Sequence, residues 1–375
     1  MFVVLHHAWL STWPDFPHDD GPWWLGWLLY GHLAVAVFIV VSGFSLALAP
    51  MRDNGQLRGG VSRFVRRRAW RILPAYWAAL IFSTLITAYL LRPDLGATEV
   101  SKALAVHGLL LQDVVGSQTP NGAFWSIAVE WQVYFVFPLI LWVGRKRSLE
   151  AAVILTIVVV LIAQVVAGLG TPFSKLNELT PQFLALFALG VLAVKLGRTG
   201  ESAKLAGWLG ALALAALLAV VASAILQGPE WMVAHFFYVD LVFGLFVACA
   251  LYLLFTGGAV APRRLLTSRK MLRLGLFSYS IYLIHAPILG VLNKYVIGPL
   301  GIPALAKFGL LLVVAVPLVL LLSYGFHLLF EAPFLRHRGM RALREIPGVQ
   351  MILRGRGAST VPPTDVAMAR GHGSD

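Results

Sequence analysis

The chain has 375 residues, of which 59% are hydrophobic and only 13% are charged, and its mean hydropathy is +0.79. Soluble domains carry about 25% charged residues because their surface faces water. The composition therefore excludes an ordinary soluble domain and indicates a membrane protein with several spans. The single cysteine, Cys249, excludes a disulfide framework and a cysteine-rich metal site. We predict no metal and no bound cofactor.

Ten apolar segments are predicted to cross the membrane. A helix needs about 20 largely apolar residues to cross roughly 30 Å of hydrocarbon. The sequence therefore predicts an all-α, polytopic membrane protein with about ten transmembrane helices. A further apolar stretch, 103–111, is too short to cross, and we expect it to lie in the interface or to fold back into the bundle. The predicted spans are 1–12, 24–49, 72–91, 123–143, 151–169, 180–196, 205–226, 233–256, 274–292 and 308–330.

The basic residues are distributed unevenly along the chain. With a cytoplasmic N-terminus, 25 of the 30 Lys and Arg residues lie on the cytoplasmic side. The positive-inside rule then predicts that both termini are cytoplasmic in the inner (plasma) membrane. Topology thus explains the net charge of +13, and the lipid bilayer is the predicted partner instead of nucleic acid. We predict a membrane domain over 1–335 and a basic, disordered cytoplasmic tail over 336–375. The sequence does not predict the oligomeric state.

The first predicted span is unusual because only five residues precede His6, and it lacks the basic flank of a signal peptide. We therefore expect the first helix to be truncated, with the true start of the protein upstream of Met1. His6 and His7 leave a helix about 100° apart, so only one of them can point into the bundle. That imidazole is either a general base for an attacking hydroxyl or a hydrogen-bond partner between helices.

An arginine cluster stands at the start of the third span. Arg67 and Arg68 lie four and three residues before Arg71, so their side chains share one helical face, and Pro74 follows. Two interpretations remain open from the spacing alone. The cluster is either an ordinary basic flank of a span or a bidentate clamp for phosphate groups.

Polar residues also recur inside two other predicted spans. Ser126, Glu130 and Tyr134 follow at four-residue steps, which places them on one helical face. A carboxylate in lipid needs a partner, so Glu130 belongs either to a buried ion pair that fixes packing or to a reactive site. In the ninth span, Ser278, Tyr282 and His285 fall at positions i, i+4 and i+7, which again places them on one face.

A His-x4-Asp pattern occurs at His235 and Asp240. Some glycerolipid acyltransferases use this pattern as a base and its orienting carboxylate. Five residues of continuous helix turn about 500°, however, which leaves the two side chains about 140° apart. We therefore predict that these two residues do not form a hydrogen-bonded pair.

Six short motifs occur in one order along nearly the whole membrane region. They are Val4-Leu5-His6-His7-Ala8, Val41-Ser42-Gly43-Phe44, Arg67-Arg68-Ala69-Trp70-Arg71-Ile72-Leu73-Pro74, Phe124-Trp125-Ser126 with Glu130 and Tyr134, Ser278-Tyr279-Ser280-Ile281-Tyr282-Leu283-Ile284-His285, and Glu331-Ala332-Pro333-Phe334. As an ordered set they resemble the acyltransferase 3 family of integral membrane O-acyltransferases, whose architecture agrees with ten spans. Family members usually have a longer first helix that begins with a Leu-Arg-Gly-like segment, which is not found before His6 here.

The resemblance implies a catalytic histidine, which matches His7 better than His6, and a functional Arg-x-x-Arg, here Arg68 and Arg71. It also implies an acyl-CoA donor, most commonly acetyl-CoA, as co-substrate. The implied acceptor is a hydroxyl of a carbohydrate, a glycolipid or a glycosylated metabolite. The residues expected to line the substrate cavity are Trp125, Ser126, Tyr134, Ser280, Tyr282, His285 and Glu331.

The expected mechanism is direct transfer of the acyl group. Arg68 and Arg71, with Arg67 beside them, hold the donor phosphates, while His7 removes a proton from the acceptor hydroxyl. Glu130 or a nearby carbonyl orients the imidazole. The alternative is a transporter or flippase of a lipid-linked sugar or acyl donor, in which the same residues bind and relay. No internal repeat is evident, which weighs modestly against a repeat-built transporter.

Overall fold

The computed structural model describes residues 1–18, 21–170, 172–200 and 202–336, and this part of the chain is helical without a strand. The predicted tail, 336–375, lies outside the described residues except for Arg336. The α-helices are α1 Phe2–Thr12, α2 Leu33–Ala47, α3 Gly60–Ile86, α4 Ala97–Gly108, α5 Trp125–Lys146, α6 Leu149–Ala167, α7 Gln182–Arg198, α8 Ala203–Ala234, α9 Phe236–Thr256, α10 Val260–Leu266, α11 Arg269–Leu276, α12 Ser278–Leu292, α13 Ala304–Leu310, α14 Val316–Phe326 and α15 Ala332–Arg336.

Within the described residues, nine helical segments are long and apolar enough to cross a membrane. Nine of the about ten predicted spans therefore have a helical segment of sufficient length. The exception is α1, because its 11 residues extend only about 16 Å, well short of the hydrocarbon thickness. The nine segments are Leu33–Arg52, Gly60–Leu91, Trp125–Lys146, Leu149–Ala167, Phe173–Arg198, Ala203–Ala234, Phe236–Thr256, Ser278–Leu300 and Ala304–Arg336.

Some predicted boundaries are corrected. The predicted span 24–49 is not one helix, because a 3₁₀ helix over Trp23–Tyr30 precedes α2. The predicted span 274–292 begins only at Ser278, after the separate helix α11. The last segment is longer than predicted, because π turns join α13, α14 and α15 into one run of 33 residues. A π turn contains about one residue more than an α-helical turn, and π turns often occur at functional sites.

The nine segments are joined so that two ends of the bundle can be distinguished. We call the end that carries the α2–α3, α5–α6, α7–α8 and α9–α12 connections the basic end, because most described Lys and Arg residues lie there. A serine caps several of the helices that begin at this end. Ser148 accepts a hydrogen bond from Ala151 N, and Ser202 accepts one from Leu205 N. These caps satisfy backbone donors that the first helical turn leaves unpaired.

The apolar stretch 103–111 folds back into the bundle, which is one of the two placements that its length permits. It forms the end of α4 and the turn that follows, and α4 packs along α3. Tyr76 donates a hydrogen bond to the carbonyl of His107 at 2.9 Å. The membrane segment Gly60–Leu91 ends 15 residues after Tyr76. The C-terminal tip of α4, which contacts Tyr76, therefore lies about 22 Å along this segment from the Leu91 end. The returning chain then delivers Trp125 at the start of α5 into the interior.

α2 and α7 approach each other closely, and glycine makes that approach possible. A Cβ atom added at Gly43 would lie 2.1 Å from the carbonyl oxygen of Phe187, and one added at Gly190 would lie 2.1 Å from that of Val40. Small residues allow backbones in membrane bundles to approach closely and gain van der Waals contact. This contact fixes the position of α2, and with it the position of Ser42.

Candidate active site

His7 of α1 and His285 of α12 form the centre of the site. The Nδ1 atom of His7 lies 2.7 Å from the Nε2 atom of His285, although 278 residues separate them in the chain. The other ring nitrogen of His285, Nδ1, lies 2.8 Å from the carbonyl of Tyr282 and 3.1 Å from that of Ile281. Helix α12 thus holds the buried His285 ring from within its own backbone.

This network determines the tautomers of the two neutral rings. Carbonyl oxygens only accept, so Nδ1 of His285 carries the proton and its Nε2 is an acceptor. The Nδ1–H group of His7 must then donate to His285. The Nε2 atom of His7 keeps its lone pair, which is the state that a general base requires. Sequence reasoning expected Glu130 or a carbonyl to orient His7, whereas the structure places His285 in contact with the His7 ring.

His6 points in a different direction. Its Nδ1 donates to the carbonyl of Leu28 at 2.8 Å, and its ring packs so tightly on Gly31 that an added Cβ would lie 2.1 Å from His6 Cγ. The two adjacent histidines therefore diverge, as their helical spacing requires. His7, rather than His6, faces α12.

A tyrosine and a serine connect the histidine pair with α5. Tyr282, one turn before His285, donates to the carbonyl of Ala123 at 2.8 Å and accepts from Ser126 at 2.5 Å. The side chain of Asn121 supports this contact, because its amide donates to the carbonyl of Leu283 at 2.8 Å. Asn121 was not predicted from the sequence, since a loop asparagine has no periodic pattern that would identify it.

Glu130 lies one turn further along α5, buried among hydroxyl groups. Its Oε1 accepts hydrogen bonds from Tyr134 and, at 3.2 Å, from Ser42 of α2. Donated hydrogen bonds offset part of the cost of burying a carboxyl group. Ser42 was absent from the predicted site residues. A serine within the apolar helix α2 is the sequence signal that identifies it.

The arginine cluster lies in the first half of α3. Arg68 and Arg71 are close enough to act electrostatically on Glu130. Arg68 also approaches Phe64, with 6.0 Å between its Cζ atom and the ring centroid, and the Phe64 ring contacts that of Tyr134. Arg71 is the eleventh residue after Gly60, so it lies about 16 Å along the helix from the basic end. Arg67 and Arg71 are exposed, whereas Arg68 is half-buried.

Ser280 and Glu331 are brought together, but on another face of α12. Ser280 donates to Glu331 Oε2 at 2.6 Å, and His327 Nδ1 lies 2.9 Å from the same oxygen. Ser280 and Tyr282 are two residues apart, about 200° around the helix, so they face different neighbours. The Ser280–Glu331 contact joins α12 to the π turn of the last segment.

A third buried carboxylate lies toward the opposite end of the bundle. Asp240 of α9 is fully buried, and His32 Nε2 lies 2.8 Å from its Oδ2 while Gln182 donates to it at 3.1 Å. The His32 ring stacks between those of Trp125 and Phe236, with centroid distances of 5.6 and 4.1 Å.

The side chain of His235 turns away from Asp240. Its Nδ1 bonds to the carbonyl of Trp231 at 2.8 Å. The His-x4-Asp pattern thus does not form a pair, as predicted. Sequence reasoning missed the pairing of His32 with Asp240, because their separation of 208 residues leaves no local signal.

The polar residues therefore form a series through the bundle. From the basic end it runs through Arg68 and Arg71 to Glu130, then through Ser126 and Tyr282 to the histidine pair. Within the described residues, no three His, Cys, Asp or Glu side chains lie together as a metal site would require. The groups available are a base with a free lone pair, hydroxyl donors, and guanidinium groups that can bind anions.

Comparison with known proteins adds independent information. A family model described as an acyltransferase domain matches residues 1–326. The chain belongs to this family, the acyltransferase 3 family. Acyltransferase MdmB of Streptomyces mycarofaciens is 29% identical over 83% of this chain and 82% of its own length. Nodulation protein 10 of Rhizobium leguminosarum bv. viciae is 24% identical over 81% of this chain and 86% of its own length.

A third relative matches a smaller part of the chain. The putative peptidoglycan O-acetyltransferase YrhL of Bacillus subtilis is 32% identical over 34% of this chain and 23% of its own length. No solved structure matches the chain. Family membership and these relatives identify the protein as a multi-pass membrane acyltransferase.

Proposed function

We propose that this acyltransferase moves an acetyl or other acyl group from acyl-CoA to a hydroxyl of a carbohydrate, glycolipid or glycosylated metabolite, with His7 as general base. The observation that carries the proposal is the contact between His7 Nδ1 and His285 Nε2 at 2.7 Å. Because α12 carbonyls hold His285, the free lone pair of His7 lies on Nε2.

The reaction balances with His7 as the proton carrier. Nε2 of His7 takes the proton of the acceptor hydroxyl while the hydroxyl oxygen attacks the thioester carbonyl. The new ester C–O bond forms and the C–S bond breaks. His7 then returns the proton to the departing thiolate, so that free CoA thiol and the acylated acceptor are the products. No metal or redox partner takes part in this step.

The donor is proposed to enter from the basic end, which we place on the cytoplasmic face of the inner membrane, together with the end of the last segment at Arg336. Arg68 and Arg71 would bind the donor phosphates, since guanidinium groups form strong bidentate contacts with phosphate. Their electrostatic proximity to Glu130 supports this placement. The polar series from Glu130 through Tyr282 to His285 then leads from the phosphate site to the base.

The proposed acceptor class rests on the relatives. YrhL is named a putative peptidoglycan O-acetyltransferase, and its substrate carries sugar hydroxyls. A hydroxyl acceptor is compatible with a neutral imidazole base, which activates an alcohol at neutral pH. Mass analysis of surface glycans and glycolipids, with and without the gene, would identify acyl group and acceptor together.

The test uses purified protein in nanodiscs with labelled acetyl-CoA and a glycan mixture. We expect release of free thiol by the wild type, a loss of at least 100-fold with His7→Ala, and no change with the exposed control His18→Ala. Full activity of His7→Ala would refute the assignment of the base. A transporter or flippase would move a lipid-linked sugar across the bilayer without releasing thiol.

A further inference from the structure

A pocket of about 500 Å³ opens at the basic end, outside the series of residues described above. It lies where the α2–α3 connection, the α5–α6 turn and the end of α7 meet. Pockets of this size are typical of small-ligand sites. Its lining includes Asn54, Leu141, Arg145, Arg147, Glu150, Lys195 and Arg198.

The pocket is strongly basic. Arg145, Arg147, Lys195 and Arg198 converge on it, and among the described lining residues they are opposed by one carboxylate, that of Glu150. In the described part of the chain, none of the four cations has a carboxylate oxygen within 4.0 Å. Like charges that share a concave site raise the local potential and attract an anion. Basic flanks that only orient a bundle do not need to surround one cavity.

The position of the pocket relates it to the candidate active site. Leu141 and Arg145 lie on the side of α5 that carries Glu130. Leu141 follows Glu130 by 11 residues and points within about 20° of its direction, and Arg145 follows it by 15 residues and points within about 60°. Arg145 lies 15 residues from Glu130, about 22 Å along the helix axis. The side chains between them, including Tyr134 and Phe137, are buried. The pocket is therefore a separate site at the surface.

We propose that this pocket binds a phosphate-bearing group presented at the basic end. Phosphate is the anion that arginine recognises by paired hydrogen bonds, and three arginines line the site. The phosphate has two possible sources. One is the nucleotide part of an acyl donor that docks at the basic end before Arg68 and Arg71 take up its phosphates, which rests on the proposed function. The other is the headgroup of an anionic phospholipid at the membrane surface, which does not depend on that function.

The experiment measures equilibrium binding, so that it does not require turnover. The full-length protein in neutral detergent is titrated with adenosine 3′,5′-bisphosphate, and lipid binding is followed by native mass spectrometry with phosphatidylglycerol against phosphatidylcholine. The test variant is Arg145→Gln/Arg198→Gln. The control is Arg263→Gln/Arg264→Gln, which removes two exposed arginines of α10 that do not line the pocket.

We expect the test variant to bind one of the two probes at least tenfold more weakly, while the control variant binds as the wild type does. Weaker binding of the bisphosphate identifies the donor nucleotide as the source, and loss of retained phosphatidylglycerol identifies the lipid. Unchanged binding of both probes would overturn the proposal. If the wild type had no acyltransferase activity, the proposed function would be refuted. The measurement of phosphatidylglycerol binding would still test the pocket, because it does not depend on that function.

A second variant keeps the test valid if the double substitution impairs folding. Glu150→Gln removes the one carboxylate among the described lining residues of the pocket and retains every cation among them. We expect it to bind the relevant probe two- to fivefold more tightly, because the repulsion between carboxylate and phosphate is lost. Equal affinity of this variant and the wild type for both probes would also contradict the proposal.

Discussion

Replacement of His285 by leucine tests the tautomer that the structure assigns to His7. The change removes the acceptor for the Nδ1–H group of His7 and leaves that donor without its partner at 2.7 Å. His285 is fully buried, so water does not readily replace it. An unsatisfied buried donor costs about 1–3 kcal/mol, and loss of that orientation in the transition state lowers kcat by roughly 5- to 150-fold.

The assay is the steady-state release of thiol from acetyl-CoA by protein in nanodiscs, with kcat and KM measured separately. We expect kcat to fall by this factor and the KM for acetyl-CoA to change less than about twofold, since the hydrogen bonds of His285 run to His7 and to its own helix. His285→Gln, which restores an acceptor oxygen, should recover part of the rate. His235→Leu is the control, because that histidine bonds to the carbonyl of Trp231 and stacks on its ring.

The reasoning would be refuted by one combination of results. If His285→Leu retained kcat within twofold while His7→Ala was inactive, His285 would not orient the base. A KM increase without a change in kcat would also contradict the assignment, because it would indicate a role in donor binding. The melting temperature of each variant separates these outcomes from simple loss of the fold.

The remaining predictions concern packing, buried charge and donor binding. Gly43→Ala should lower stability by about 1–3 kcal/mol and reduce the melting temperature, because its Cβ would collide with a backbone carbonyl, whereas Gly207→Ala, which meets open space, should not. Asp240→Asn breaks a buried pair worth about 3–5 kcal/mol and should reduce the melting temperature strongly, while the exposed Asp94→Asn should leave it unchanged. Arg71→Gln should raise the KM for acetyl-CoA about tenfold with little change in kcat, and an unchanged KM would remove Arg71 from the donor site.

Several properties of this protein follow from the sequence by itself. Runs of apolar residues specify spans because backbone groups in hydrocarbon must bond within their own helix. The helical nature of the bundle and most of the spans were predictable for this reason. The short motifs around His7, Arg68 and Arg71 likewise indicated the acyltransferase 3 family, which the match over residues 1–326 confirms.

The tertiary structure decided which polar residues meet. His7 and His285 are 278 residues apart, and His32 and Asp240 are 208 apart, so neither contact leaves a periodic signal in the chain. Helical spacing predicts that His6 and His7 diverge, but not which of them faces the bundle.

The same limit explains the predictions that failed or stayed open. Length alone permitted two placements for residues 103–111, and the hydrogen bond from Tyr76 on α3 selected the one inside the bundle. Local sequence determines which segments become helices, whereas the packing of distant helices determines which nitrogen of His7 keeps its lone pair. Catalytic chemistry depends on that second level, because a general base is defined by its partners as much as by its side chain.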